Sequence, residues 1–143
     1  MTTLVFSMLE TQPIMLRLES DLIAHCLAAL EGKLDTEVTR WDERPSVGVV
    51  MAAGGYPGSY NKGDIIEGLE PGSTENNKVF HAGTKLLDGA IVSNGGRVLC
   101  VTALGETVAD AQKAAYKRLA DIHWKDAFYR SDFAYRAIAR QQS

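Results

Sequence analysis

The run VLCVTAL, Val98 to Leu104, constrains this chain more than any other stretch. Seven consecutive residues carry no charge and no polar alternation, so the run is apolar on both faces. Half-buried strands alternate, whereas strands covered on both sides do not. The run is therefore expected in the middle of a sheet. Asn94-Gly95-Gly96 stands before it and Gly105 after it. Thr107 then has Asp110 three residues on, a capping box that opens a helix. In TVADAQKAAYKRLADIHW, Val108, Ala111, Ala115, Leu119 and Ile122 recur at helical spacing. The small alanines allow close approach to a sheet.

The remaining elements build around this unit. Thr11-Gln12-Pro13 reads as a turn into a helix over residues 13–31, stopped by Gly32. Met15, Leu18, Leu22, Cys26 and Ala29 form its apolar stripe, and Leu16, Ile23, Leu27 and Leu30 widen it. Glu19, Ser20 and Asp21 are expected to face away. A polar linker ends at Pro45. Ser46 to Ala53, Ile65-Ile66, Val79 to Ala82, Ala90 to Ser93 and Arg97 to Leu104 read as strands. Asp88-Gly89 and Asn94-Gly95-Gly96 read as hairpin turns, since these residues accept positive φ. Ser131 can cap a last short helix over 132–140. Hairpin strands followed by one helix predict an α+β fold with a mainly antiparallel sheet, not a doubly wound one. Residues 1–45 form one unit of this scheme and residues 46–143 the other.

With 143 residues, 45% hydrophobic and 23% charged, the composition is ordinary for one globular domain. The net charge of −3 argues against a nucleic-acid partner or an anionic membrane surface. No apolar run approaches a membrane span, and the amino terminus lacks the pattern of a signal peptide. Cys26 and Cys100 are expected as reduced core thiols and the location as cytoplasmic. Trp41 and Trp124 are expected as core anchors.

Few residues suggest chemistry by themselves. AAGGYPG, residues 52–58, lacks the Gly-Lys-Ser/Thr and the following helix of a phosphate-binding loop. It reads as a structural turn, with a lesser possibility that its backbone and Lys62 touch a phosphate. His25, His81 and His123 lack metal-ligand spacing, and no metal site is expected. No nucleophile sits beside a base. HAGTK, residues 81–85, and NGGRV, residues 94–98, place His81, Thr84, Lys85 and Arg97 at strand ends. There they serve either to recognise an anion or to solvate hairpin tips.

Taken in order, GVVMAAGGYPGSYNKGDII, KVFHAGTK, NGGRVLCVTALGETVADAQKAAY and DIHWKDAFYRSDFAYRAI resemble the carboxy-terminal domain of glycinamide ribonucleotide synthetases, that is, phosphoribosylamine–glycine ligases. The resemblance runs from about Glu10 to Gln141. It implies an ATP-grasp ligase of purine synthesis that joins glycine to phosphoribosylamine using ATP and magnesium. The family pattern before the first helix is E-F-N-x-R-x-G-D-P-E-T-Q. Glu10, Thr11 and Gln12 match its end, so Glu10 is a remnant of the ATP-grasp motif. Met1 and Thr3 stand where the family's metal-binding Glu and Asn belong. Val5 replaces the Arg, and Ser7, Met8 and Leu9 replace Gly-Asp-Pro. Met and Thr are not hard-metal ligands of that kind. The expectation is a ligase-derived fragment, inactive alone and with no cofactor of its own. The alternatives are a non-enzymatic remnant or interaction module that complements a separate ATP-grasp chain, and a small free-standing enzyme using His81, Lys85 and Arg97. The implied ligand face carries Tyr56, Lys62, His81, Lys85 and Arg97. The wide apolar face of the first helix suggests a homodimer.

Overall fold

The computed structural model describes residues 8–70 and 72–141. Its centre is an antiparallel sheet of β1 (Ser46–Ala52), β5 (Arg97–Leu104) and β2 (Asn77–His81), in the order β1-β5-β2. β5 lies in the middle, as its two apolar faces require, and every residue from Val98 to Leu104 is buried. Val47, Val49 and Met51 pair with Ala103, Val101 and Leu99. Against this face packs α3 (Val108–Leu119), whose Ala111 and Ala115 are fully buried. The capping box at its start forms: the Thr107 Oγ1 accepts from the Asp110 N–H at 3.1 Å, and the Asp110 Oδ2 accepts from the Thr107 N–H at 3.2 Å. α1 (Met8–Arg17) covers the opposite face. A Cβ at Gly48 would stand 2.9 Å from Pro13 Cγ, so this helix sits directly on the strand backbone. The fold is α+β.

β3 (Thr84–Leu87) and β4 (Ala90–Ser93) form a separate two-stranded ribbon. Its turn is Asp88-Gly89, with φ of 48° and 83°, the double positive φ of a two-residue hairpin. β3 is not evident in the sequence because three of its four residues are exposed. Asn94-Gly95-Gly96, by contrast, is not a hairpin turn. β4 pairs with β3 and not with β5, and none of the three residues takes a positive φ. The Asn94 N–H donates to the Gly83 carbonyl at 2.7 Å, and the Gly83 N–H donates to the Val98 carbonyl at 3.0 Å. A Cβ at Gly83 would come within 2.9 Å of Gly95 Cα. The glycines serve close backbone approach between ribbon and sheet. Ile65 and Ile66 make only an isolated bridge, Ile65 to Val92, while Glu67 bridges His123.

The helix expected over 13–31 is two helices. α1 begins at Met8, so Thr11-Gln12-Pro13 lies inside it and is not a turn. α2 spans Leu22–Leu30. Between them Leu18 bridges Trp41, the Glu19 N–H donates to the Arg40 carbonyl at 3.0 Å, and the Asp42 N–H donates to the Arg17 carbonyl at 2.8 Å. Asp21 then caps α2 by accepting from the Ile23 N–H at 2.8 Å. The stripe ran through the break because both helices keep similar apolar spacing. α3 ends at Leu119, short of Trp124, because residues 121–124 peel away and His123 pairs with Glu67. α4 (Tyr135–Gln141) starts later than a Ser131 cap would place it. Asp132 is held by Arg130 at 2.9 Å and Ala134 takes φ 68°, which delays the helix. Trp124 is a core residue, but Trp41 is 44% exposed. Cys100 is buried, and burial pushes its thiol pKa up. Cys26 is exposed and is not a core thiol, since α2 lies outside the main core. Among the described residues no helix is long and apolar enough to cross a membrane.

Candidate functional site

The site forms where β1 ends. Between Met51 and Ala52 the register with β5 shifts, which sets Arg97 opposite Ala52. On the free edge of β1, Ala52 exchanges backbone hydrogen bonds with Phe128 at 2.8 and 3.0 Å. This draws the segment Phe128–Phe133 over the face of β1. The following loop turns back at once, for the Ala53 N–H donates to the Gly96 carbonyl at 2.8 Å. Tyr56 thereby lies against Gly96, where a Cβ would meet its ring at 2.1 Å. Glycine is needed at 96 for this approach, not for its φ. Tyr56 and Tyr60 stack edge to face at 6.2 Å.

The result is a cleft of about 300 Å3 over Gly48–Val50 and Ala52, walled by Tyr56, Arg97, Phe128, Tyr129, Arg130 and Phe133. Arg130 is engaged by Asp132, with its Nε and Nη2 donating to the two carboxylate oxygens at 3.0 and 2.9 Å. That bidentate pair lowers the Asp132 pKa and raises that of Arg130. Tyr116 supports the wall from α3 by donating its hydroxyl to the Arg130 carbonyl. Arg97 is half-buried, and among the described residues its guanidinium has no hydrogen-bond or ion-pair partner. A larger groove of about 680 Å3 adjoins the cleft through Gly48 and Phe133 and carries Glu10, Arg136 and Arg140 on its rim.

Of the residues singled out in the sequence, Tyr56 and Arg97 share this cleft, and Glu10 lies exposed in the adjoining groove. Lys62, His81 and Lys85 do not line it; all three are exposed. They relate instead to the ribbon. Gly63, next to Lys62, donates to the Ser93 carbonyl at 2.7 Å, and Ser93 pairs with Thr84. His81 Nδ1 lies 3.0 Å from the Thr84 hydroxyl, and Lys85 pairs with Val92. Sequence reasoning missed Phe128, Tyr129, Arg130 and Phe133. The interleaved aromatic and basic residues of FYRSDF were their signal, read only as part of a family motif and as the start of the last helix.

The residues present do not suit a magnesium ion. Glu10 is the carboxylate at these two clefts, and among the described residues no group of three or more His, Cys, Asp or Glu could hold a metal.

Residues 46–136 match the family described as phosphoribosylglycinamide synthetase, C domain. The chain belongs to that family. The chain is 64% identical over 135 residues to the phosphoribosylamine–glycine ligase of Escherichia coli O157:H7, a match covering 94% of this chain and 32% of the relative. It is 58% identical over 133 residues to that of Vibrio vulnificus CMCP6, covering 93% of this chain and 31% of the relative. The crystal structure of phosphoribosylamine–glycine ligase from Thermotoga maritima is 36% identical with a TM-score of 0.58, over 73% of this chain and 26% of that one. The chain thus spans about a third of the length of the curated relatives it matches. The cleft's Tyr56, Arg97, Phe128, Tyr129, Arg130 and Phe133 all fall within the C-domain match, whereas α1 and α2 precede it.

Proposed function

We propose that this chain acts as the C-terminal module of a cytoplasmic phosphoribosylamine–glycine ligase and closes the substrate side of its site. Arg97 binds the phosphate of phosphoribosylamine, and Tyr56 and Phe128 pack against the sugar. The magnesium such a ligase uses is held outside the described residues, among which no group of three or more His, Cys, Asp or Glu could hold a metal. By itself the module performs no ligation. The observation that carries this reading is Arg97: a half-buried cation without a partner among the described residues, facing an aromatic-walled cleft. A guanidinium so placed favours a dianion, which it can meet with two parallel N–H donors.

Ribose 5-phosphate is a stable probe of this binding. In an NMR titration it is expected to shift the amides around Arg97 and Tyr56. Arg97→Ala should weaken binding by roughly 10- to 100-fold, the range for a charge-assisted hydrogen bond of about 1.5–3 kcal/mol. Lys62→Ala should leave it unchanged. Equal affinity in wild type and Arg97→Ala overturns the reading. Calorimetry with ATP and magnesium should show no binding tighter than about 1 mM.

A second reading, a non-enzymatic interaction module, draws on a different observation: the large apolar side chains that α2 turns outward.

A further inference from the structure

The cleft is built from two parts that different elements hold. Arg97 stands on β5 and Tyr56 lies against Gly96, so the sheet fixes both. The wall from Phe128 to Phe133 has no such support of its own. Each of its residues is exposed, and the alanines that flank it, Ala127 and Ala134, pack against the core. The wall is held at two places. At one end Phe128 exchanges backbone bonds with Ala52. At the other it hangs from α3. Tyr116 donates its hydroxyl to the Arg130 carbonyl and accepts from the Phe133 N–H at 3.3 Å, and its ring centre lies 6.0 Å from that of Tyr129. Gln112, one turn earlier on the same face of α3, donates to the Phe133 carbonyl. Ala111, Ala115 and Leu119 take the buried face of this helix, so Gln112 and Tyr116 form its row turned toward the wall.

The two anchors stand at opposite ends of the cleft. Arg97 and Phe128 meet at Ala52. Gly48 and Phe133 are the residues the cleft shares with the adjoining groove, and they mark its far end. Along β1 the distance from Ala52 to Gly48 is roughly 13 Å, at about 3.3 Å per residue. A bare phosphate on Arg97 reaches only the first end. A phosphorylated sugar extends along β1 toward the second, between the strand and Tyr129 and Phe133. We infer that Tyr116 is the positioning residue of this cleft: by fixing the far half of the wall it sets the preference for a phosphorylated sugar over bare phosphate. Tyr116 does not line the cleft and acts through the wall residues. One oxygen serves as donor to Arg130 and acceptor from Phe133, and so fixes two backbone groups at once. The ring packs against the core. Tyr116→Phe therefore removes the positioning and keeps the packing. The inference rests on the ligase reading, in which Arg97 takes the phosphate and the wall takes the sugar.

NMR titrations of the full chain with ribose 5-phosphate and with inorganic phosphate test this, read as the ratio of the two affinities. Tyr116→Phe should weaken ribose 5-phosphate by roughly five-fold, the equivalent of one neutral hydrogen bond of about 1 kcal/mol, and leave phosphate within about two-fold. The amides of Tyr129 and Phe133 should lose their response to the sugar phosphate, while those of Arg97 and Tyr56 keep it. Gln112→Ala removes the companion bond and should lower the ratio in the same direction, which decides the matter if Tyr116→Phe does not fold. A merely structural role would weaken both ligands alike. Equal losses for both ligands, a ratio unchanged in both variants, or a wild type that prefers neither ligand overturns the inference. Arg97→Ala separates this from failure of the ligase reading. Phosphate binding that survives Arg97→Ala overturns that reading. Phosphate binding lost in Arg97→Ala, with a ratio that Tyr116→Phe does not move, overturns only the role of Tyr116.

Discussion

Substitution of Gly68 by alanine should be among the most damaging single methyl additions in this chain. Gly68 takes φ 77°, in the left-handed region. Any other L residue there costs about 1–2 kcal/mol. A Cβ would also stand 1.7 Å from the Asp121 backbone oxygen and 2.7 Å from its carbonyl carbon. No rotamer relieves a clash with backbone, so the 67–69 and 121–123 segments must part. That parting endangers the two Glu67–His123 backbone bonds, at 2.9 and 3.2 Å, and the Arg118 Nη1 bond to the Gly68 carbonyl at 2.9 Å. At about 1 kcal/mol for each bond lost, the total comes to roughly 4 kcal/mol. For a chain of 143 residues the entropy of unfolding is about 300 cal/mol/K, so the melting temperature should fall by roughly 13 °C. Two controls separate the causes. Gly63 has φ 92° with nothing within 4 Å of a built Cβ, so Gly63→Ala carries only the left-handed cost and should lose roughly 5 °C. Gly72 has neither constraint, and Gly72→Ala should move the midpoint by no more than about 2 °C. Thermal melts by circular dichroism give all three values. Equal losses for Gly68→Ala and Gly63→Ala would refute the role assigned to the backbone contact.

Thr107→Ala removes the cap of α3 and should cost about 1 kcal/mol, or roughly 3 °C in the same assay. A loss under 1 °C would mean that packing of Ala111 and Ala115 alone holds the helix start. The Arg44 side chain donates to Asp42, with Nη2 at 2.6 Å, and holds its carboxyl pKa at about 2 against an ordinary 3.8. A depressed folded pKa means that the contribution is complete above 3.8 and is lost as pH falls toward 2. Melts taken through that window should therefore fall more steeply for wild type than for Asp42→Asn, and parallel curves would remove Asp42 from the acid response.

Some features were legible in the residues alone because their causes are local. The central place of β5 follows from an apolar run with no polar face, and the capping box of α3 from Thr107 and Asp110 three apart. Asp88-Gly89 made its hairpin because a two-residue turn demands positive φ wherever it occurs. The family motifs were equally plain. What only the tertiary structure decided depends on partners distant in sequence. The break at Leu18 exists because Arg40 and Asp42 take the backbone bonds of Glu19 and Arg17 on either side of it, and the apolar spacing gave no sign of it. Asn94-Gly95-Gly96 looked like a turn, but its glycines answer to Gly83 and to the ring of Tyr56. Arg97 reached a cleft because a register shift set it opposite Ala52, and Phe128 joined it from 31 positions away by pairing with the same residue. Lys62, His81 and Lys85 carry the same kinds of polar group and went to the ribbon instead. Residue type determined what each side chain could bind; backbone pairing across the sheet determined which of them meet.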